Sequence, residues 1–96
     1  MDPRRAPGQM IRVLIADDHL LLRMGLESLI NRQKDMQVVA EAAGGTEVVE
    51  LYKVHRPDVT LMDLRMPGLS GVEAIAAIMA FHQEARVEKL IPDNLS

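Results

Sequence analysis

The sequence predicts an α/β fold built on a parallel sheet, and three observations carry that prediction. Short β-rich apolar runs occur three times, each is followed by apolar residues at helical spacing, and turn residues mark each change of period. Ile11 to Ala16 (IRVLIA) reads as a strand covered on both faces, ending at Asp17-Asp18-His19. From Leu20 to Arg32 the positions Leu22, Leu26, Leu29 and Ile30 form the apolar stripe of a first helix, with Arg23, Glu27, Asn31 and Arg32 on other faces. Gln37 to Ala42 is the second strand. Gly44-Gly45-Thr46 breaks it, and Val48, Leu51, Tyr52 and His55 then mark a second amphipathic helix that Pro57 stops. Asp58 to Asp63 (DVTLMD) is the third strand, followed by the turn-rich Pro67 to Gly71 and a third helix over Val72 to His82. The order βαβαβα implies parallel pairing, right-handed crossovers and helices on both faces of the sheet.

The chain has 96 residues, 48% hydrophobic and 26% charged, which suits one soluble globular domain. With Trp 0, Phe 1 and Tyr 1, its core has to come from aliphatic residues and the seven Met. Cys 0 excludes a disulfide scaffold, thiol catalysis and cysteine-ligated metal sites, and it fits a reducing, cytoplasmic setting. A formal charge of -3 offers no basic field for nucleic acid, so DNA binding by this chain alone is disfavoured. Residues 1–10 read as a disordered leader, neither signal peptide nor membrane anchor. The longest apolar run, Ala74 to Phe81, is far short of the ~20 residues of a membrane span.

Ligands of parallel α/β sheets sit beyond the carboxyl ends of the strands. Asp17 and Asp18 close the first strand and Asp63 the third, so three acids converge if these strands are neighbours. Crowded carboxylates repel unless a cation sits among them, and the economical cation is a hard, oxygen-ligated divalent ion, Mg2+ first. Asp63 has a second option, attack on a phosphorus centre to give an aspartyl phosphate. The plainer alternative is that Asp18 or His19 merely caps the next helix. Other residues carry structural readings: His55 as a partly buried helix residue, His19 at a helix start, Glu41 facing solvent, and the Met residues as gap fillers. Gly44-Gly45 matches no phosphate-binding loop pattern.

The segments IRVLIADDH, RMGLESLI and DVTLMDLRMPGLSGVEAI together resemble a response-regulator receiver domain of bacterial two-component signalling, over about Ile11 to Phe81. The pattern DDHxxxRxGL, with Arg23 and Gly25, is similar to the NarL/LuxR-like subfamily in particular. The resemblance implies a flavodoxin-like receiver fold and a phosphoacceptor module, not an enzyme, with at most autophosphorylation from small phosphodonors. It implies Asp63 as phosphoacceptor, Asp18 as a direct Mg2+ ligand, Asp17 as a ligand through water, and Arg65 lending its backbone carbonyl. It also implies a sensor histidine kinase as partner and a role in transcription regulation, with the usual helix-turn-helix output domain lacking. Pro67 and Gly68 would shape the loop, and Gly71 would let the third helix start close to the sheet.

A receiver has five βα units, and the sequence accounts for only the first three. Fourteen residues remain after His82. After Asp63 the only hydroxyls are Ser70 and Ser96 and the only lysine is Lys89, none placed where the family has its fourth-strand Ser or Thr and fifth-strand Lys. The division expected is a leader at 1–10, a partial receiver at 11–86 and an atypical C-terminal tail at 87–96, with Glu88-Lys89 interrupting the fourth strand that Ala85-Arg86-Val87 begins. On that reading the switch is impaired, the third strand is left with a free edge, and the third helix exposes an apolar run. Both would be covered by a homodimer. Two further functions compete: an inert receiver-derived interaction fragment that dimerises without being phosphorylated, and a metal-dependent phosphohydrolase. The latter usually needs a DxD pair, whereas position 65 is Arg.

Overall fold

A computed structural model describes residues 10–66 and 68–90. It contains β1 (Ile11–Ala16), α1 (Leu20–Asn31), β2 (Met36–Ala42), α2 (Gly45–His55), β3 (Val59–Asp63), α3 (Gly71–Phe81) and β4 (Val87–Leu90). The strands form one parallel sheet in the order β2-β1-β3-β4. The predicted class holds, and the three predicted strands and helices lie within a residue or a few of their expected bounds. The calls on the leader at 1–9, on Pro67 and on residues 91–96 lie outside the described residues.

Side chains alternate along β1 between two cores. Leu14 and Ala16 join Met62, Val48, Tyr52, Ala74 and Ile78 under α2 and α3. Val13 and Ile15 join Ile30 under α1. The register of β1 against β2 shifts between Val13 and Leu14, where one extra residue of β2 is accommodated.

Local chemistry fixes the helix ends. The Ser70 hydroxyl accepts from the Glu73 N–H and the Glu73 carboxylate from the Ser70 N–H, both at 3.1 Å, a reciprocal cap that starts α3. A Cβ on Gly71 would strike Leu64 Cα and sit 2.7 Å from the Asp63 carbonyl oxygen, so only glycine lets α3 begin this close to β3. At the end of α2, Arg56 takes a left-handed conformation with φ 48 and Pro57 follows. Arg12 of β1 satisfies the freed carbonyls, donating from Nη1 to His55 O at 2.6 Å and Arg56 O at 3.1 Å.

Four sequence expectations need correction. Val87–Leu90, assigned to an atypical tail, forms a fourth strand paired in parallel with β3, Met62 opposite Lys89 and Asp63 opposite Leu90. Glu88 and Lys89 do not interrupt it, because an edge strand tolerates exposed charges. The edge of β3 is therefore covered. The expected apolar run of α3 is exposed in part: Ala74 and Ile78 are buried, whereas Met79 and Phe81 are 37% and 41% exposed, Phe81 packing edge-on to Tyr52 with a ring separation of 6.4 Å beneath the Arg56 guanidinium. On α1 the expected stripe buries only Ile30, while Leu22 and Leu29 are exposed. Glu41 does not face solvent but is half-buried, 3.4 Å from Arg23 Nε.

Candidate functional site

Because β1 and β3 are neighbours, with Ala16 opposite Met62, the acids that follow them converge. Asp17 is 1% exposed and Asp63 8%, both sunk at the carboxyl end of the sheet, while Asp18 stands outward. One ligand atom from each of Asp17, Asp18, His19 and Asp63 lies within 4.8 Å of all the others. The Asp17 N–H donates to Ala42 O at 3.0 Å, which carries the pairing one residue past the end of β1 and anchors the acid pair. Arg23 of α1 donates from Nη1 to the Asp17 carbonyl oxygen at 2.5 Å, bracing the same turn from the helix side. Asp63 Oδ1 accepts the Arg65 N–H at 3.0 Å, so the loop after β3 folds back on the carboxylate that starts it.

His19 stands at the N-cap position of α1, where its carbonyl accepts the Arg23 N–H at 3.0 Å, but its side chain makes no capping hydrogen bond. The Asp17 carboxylate instead accepts the His19 N–H at 2.7 Å, and the His19 ring stands 3.0 Å from Asp17 and 3.1 Å from Asp18. The hydrogen bond to Asp17 and the charges of Asp18 and Asp17 raise the imidazole pKa above its ordinary 6.5. Glu41 is also raised, by burial first and then by the neighbouring Glu27, with Arg23 acting in opposition.

A cavity of about 490 Å³ opens over these acids, lined by Asp17, His19, Leu22, Asp63, Arg65, Lys89 and Leu90. All four residues singled out from the sequence are therefore at one place: three acids in a cluster and Arg65 in the cavity wall. Sequence reasoning missed that His19 leans on two of the acids, which its position directly after them could have signalled. It assigned Lys89 to the tail and missed Leu90, and both reach the cavity because β4 pairs with β3. Hard oxygen donors at this spacing suit a small divalent cation, and the buried Asp63 suits attack on an electrophile entering the cavity.

At the opposite end of the sheet Tyr52 and His82 share a hydrogen bond of 2.7 Å between the hydroxyl and Nδ1. It ties α2 to the end of α3. No described helix is long and apolar enough to cross a membrane.

The family model of the response regulator receiver domain matches residues 13–89. The transcriptional regulatory protein LiaR of Bacillus subtilis is 49% identical over 69 residues, covering 72% of this chain and 33% of LiaR. The oxygen regulatory protein NreC of Staphylococcus epidermidis is 42% identical over 78 residues, covering 80% and 36%. Among solved structures, the response regulator domain of Thermotoga maritima CheB superposes with a TM-score of 0.81 at 43% identity, over 84% of this chain and 60% of that one. A LuxR-family two-component response regulator from Aurantimonas gives 0.80 at 38% identity, over 84% and 58%. The chain spans about a third of the length of the curated relatives it matches.

Proposed function

We propose that this chain, which belongs to the response regulator receiver domain family, accepts a phosphoryl group on Asp63 from a sensor histidine kinase. The single observation that carries the proposal is the convergence of Asp63 with Asp17 and Asp18 at the ends of two adjacent strands. The donor set fits Mg2+: oxygen atoms, two of them on nearly buried carboxylates whose mutual repulsion a divalent cation relieves. Asp18 and Asp63 would hold the ion directly, Asp17 through water, and Arg65 through its backbone carbonyl. When bound, Mg2+ supplies charge neutralisation for the phosphoryl oxygens.

The protein's own contribution is the nucleophile and its aim. With Oδ1 of Asp63 engaged by the Arg65 N–H, Oδ2 is the oxygen left to attack. It bonds to phosphorus as the donor's P–N or P–O bond breaks, and the imidazole or acetate leaves with the electron pair. The module is not an enzyme acting on a separate substrate, and it would work in the cytoplasm beside its kinase. Its switch is proposed to be impaired, since no hydroxyl stands on β4 and its lysine, Lys89, lies within that strand. A second copy of the chain is the other partner proposed.

One observation favours the alternative of an inert interaction fragment: a large apolar surface left exposed on α1. Intact mass after incubation with acetyl phosphate and Mg2+ separates the two. The phosphoacceptor reading expects an adduct that is lost in Asp63→Asn and abolished in Asp18→Ala. An adduct persisting in Asp63→Asn, or none in the wild-type chain, would overturn it.

A further inference from the structure

Packing alone does not account for Arg23. Toward the sheet α1 is apolar at Leu26 and Ile30, which pack with Val13 and Ile15, yet nearer the acids the same face carries a guanidinium on a side chain only 15% exposed. The Nε of Arg23 is buried without a hydrogen bond, 3.4 Å from Glu41 Oε1. Glu41 fits no better by itself. Burial first, and then the charge of Glu27 and a hydrogen bond to it, push its carboxyl toward the neutral form, and Arg23 opposes them. An ion pair so placed contributes little net stability, because desolvation offsets most of the attraction. The guanidinium has a second contact, and it lies at the acid turn.

Arg23 Nη1 donates to the Asp17 carbonyl oxygen at 2.5 Å, the Asp17 N–H donates to Ala42 O at 3.0 Å, and Ala42 follows Glu41 in β2. These contacts close a ring: β2 holds Asp17 by its N–H, α1 holds it by its carbonyl, and the carboxylate that steadies the guanidinium comes from β2 again. Because the peptide between Asp17 and Asp18 is planar, a fixed Asp17 carbonyl fixes where the Asp18 Cα stands. Asp18 needs this more than the other acids. Asp17 and Asp63 are walled in, whereas the Asp18 side chain is 31% exposed, with the exposed His19 ring beside it at 3.1 Å. Every group of the ring lies between Asp17 and Ala42, within the first half of the chain.

We propose that Arg23 is the positioning residue of the acid site: oriented by Glu41, it holds the Asp17 carbonyl and so sets where Asp18 presents its carboxylate to a divalent cation. This rests on the Mg2+ reading of Asp17, Asp18 and Asp63 given above. Arg23 does not line the cavity over the acids, so it acts through the Asp17–Asp18 peptide and not on the ion. The planar fork of the side chain suits the part, since it presents Nη1 and Nε at a fixed angle to two acceptors, which a lysine does not do. The charge works against the site, because a cation near a bound cation weakens its binding. Loss of Arg23 therefore separates position from charge by the sign of the effect.

Mg2+ titration followed by NMR on the wild type, Arg23→Met, Arg23→Lys and Glu41→Gln tests this. Arg23→Met should raise the Mg2+ Kd roughly tenfold, as loss of an outer partner of a metal site does, although removal of its charge alone would lower it. Arg23→Lys keeps the charge without the fork and should also raise the Kd, by roughly threefold or more, and so should Glu41→Gln. In metal-free protein, exchange of the Asp17 and His19 N–H should be roughly tenfold faster in Arg23→Met, with the Ile15 and Met62 N–H unchanged. A Kd that is unchanged or lower in Arg23→Met, or unchanged in Arg23→Lys, would overturn the positioning role. So would an unchanged Kd in Glu41→Gln, which decides the matter should Arg23→Met fail to fold. Exchange that quickens equally along β1 and β3 would mean that Arg23 serves the whole fold, and would overturn the role too. A wild-type chain without Mg2+-dependent shifts would instead overturn the metal reading itself.

Discussion

The two faces of the sheet are built to different standards. Under α2 and α3, Leu14, Ala16, Ala42, Val48, Tyr52, Met62, Met66, Ala74 and Ile78 form one buried cluster, closed at its base by the Tyr52–His82 hydrogen bond. Under α1 only Val13, Ile15 and Ile30 are buried, and the helix turns more apolar surface to solvent than to the sheet. Among the described residues two helices share the first face and one stands alone on the second, so the same strands are better sealed on one side than on the other. The acids sit where the two faces meet, at the ends of β1 and β3. The site thus rests on the rigid core while its cavity opens past Leu22 of the sparsely packed helix.

The largest effect that would break this contrast is in the cores. Ile78→Ala should lower unfolding free energy by about 3 kcal/mol, a large share of what a small domain has, whereas Leu29→Ala should change it by less than about 0.5 kcal/mol. Urea denaturation of dilute protein checks both, and equal losses would mean that the two faces are packed alike.

Glycines on the two faces should respond with opposite sign. Gly71→Ala drives a methyl into the backbone of Leu64 and Asp63 and should cost about 2 kcal/mol, displacing the loop that orients Asp63. Gly25→Ala, measured where the chain is monomeric, should gain about 0.5–1 kcal/mol. Thermal melts of the pair decide it. A gain of similar size is expected at Thr60, whose hydroxyl is buried on the well-packed side with no hydrogen-bond partner among the described residues. Thr60→Val should stabilise by about 1 kcal/mol, and a loss would show that the hydroxyl is satisfied in solution.

The smallest effect concerns the exposed rim of the site. His19 should titrate by NMR with a midpoint above 6.5, because its protonated ring is held by Asp17 and Asp18. Since the folded pKa is the higher one, the stability this contact contributes is in place below the unfolded value and is lost as pH rises through the folded value. Asp18→Asn should lower the midpoint, and so should added Mg2+ if the acids turn from the imidazole to the ion. A midpoint at 6.5 in all three samples would mean that the ring is not held.

Much of this was legible from residue spacing. Three strands and three helices could be placed because period and turn residues agree in each, and the parallel class put Asp17 and Asp63 at the same edge of the sheet, while their adjacency waited on the strand order β2-β1-β3-β4. The Ser70-x-x-Glu73 cap of α3 is equally legible as a pattern. Of the fourth strand only the start at Ala85-Arg86-Val87 was legible, since Val87, Glu88, Lys89 and Leu90 lack the alternation or apolar run that a strand ordinarily shows. Nor was the exposure of Leu22 and Leu29, because an apolar stripe says that a face can be buried and not that a partner exists to bury it.

The sequence by itself determined the elements and the chemistry: periods that choose strand or helix, glycine where backbones must touch, and carboxylates where strands end. Those are local properties, fixed by a residue and its near neighbours. Only the tertiary structure decided that β4 closes the edge of β3, that the His19 ring turns onto Asp17 and Asp18 at the start of α1, and that α1 exposes more of its apolar surface than α3 does. Each of these depends on what stands across a gap in space, namely a fourth strand's register, the position of two carboxylates and the number of helices on a face, and such non-local contacts leave no period in the chain to be read.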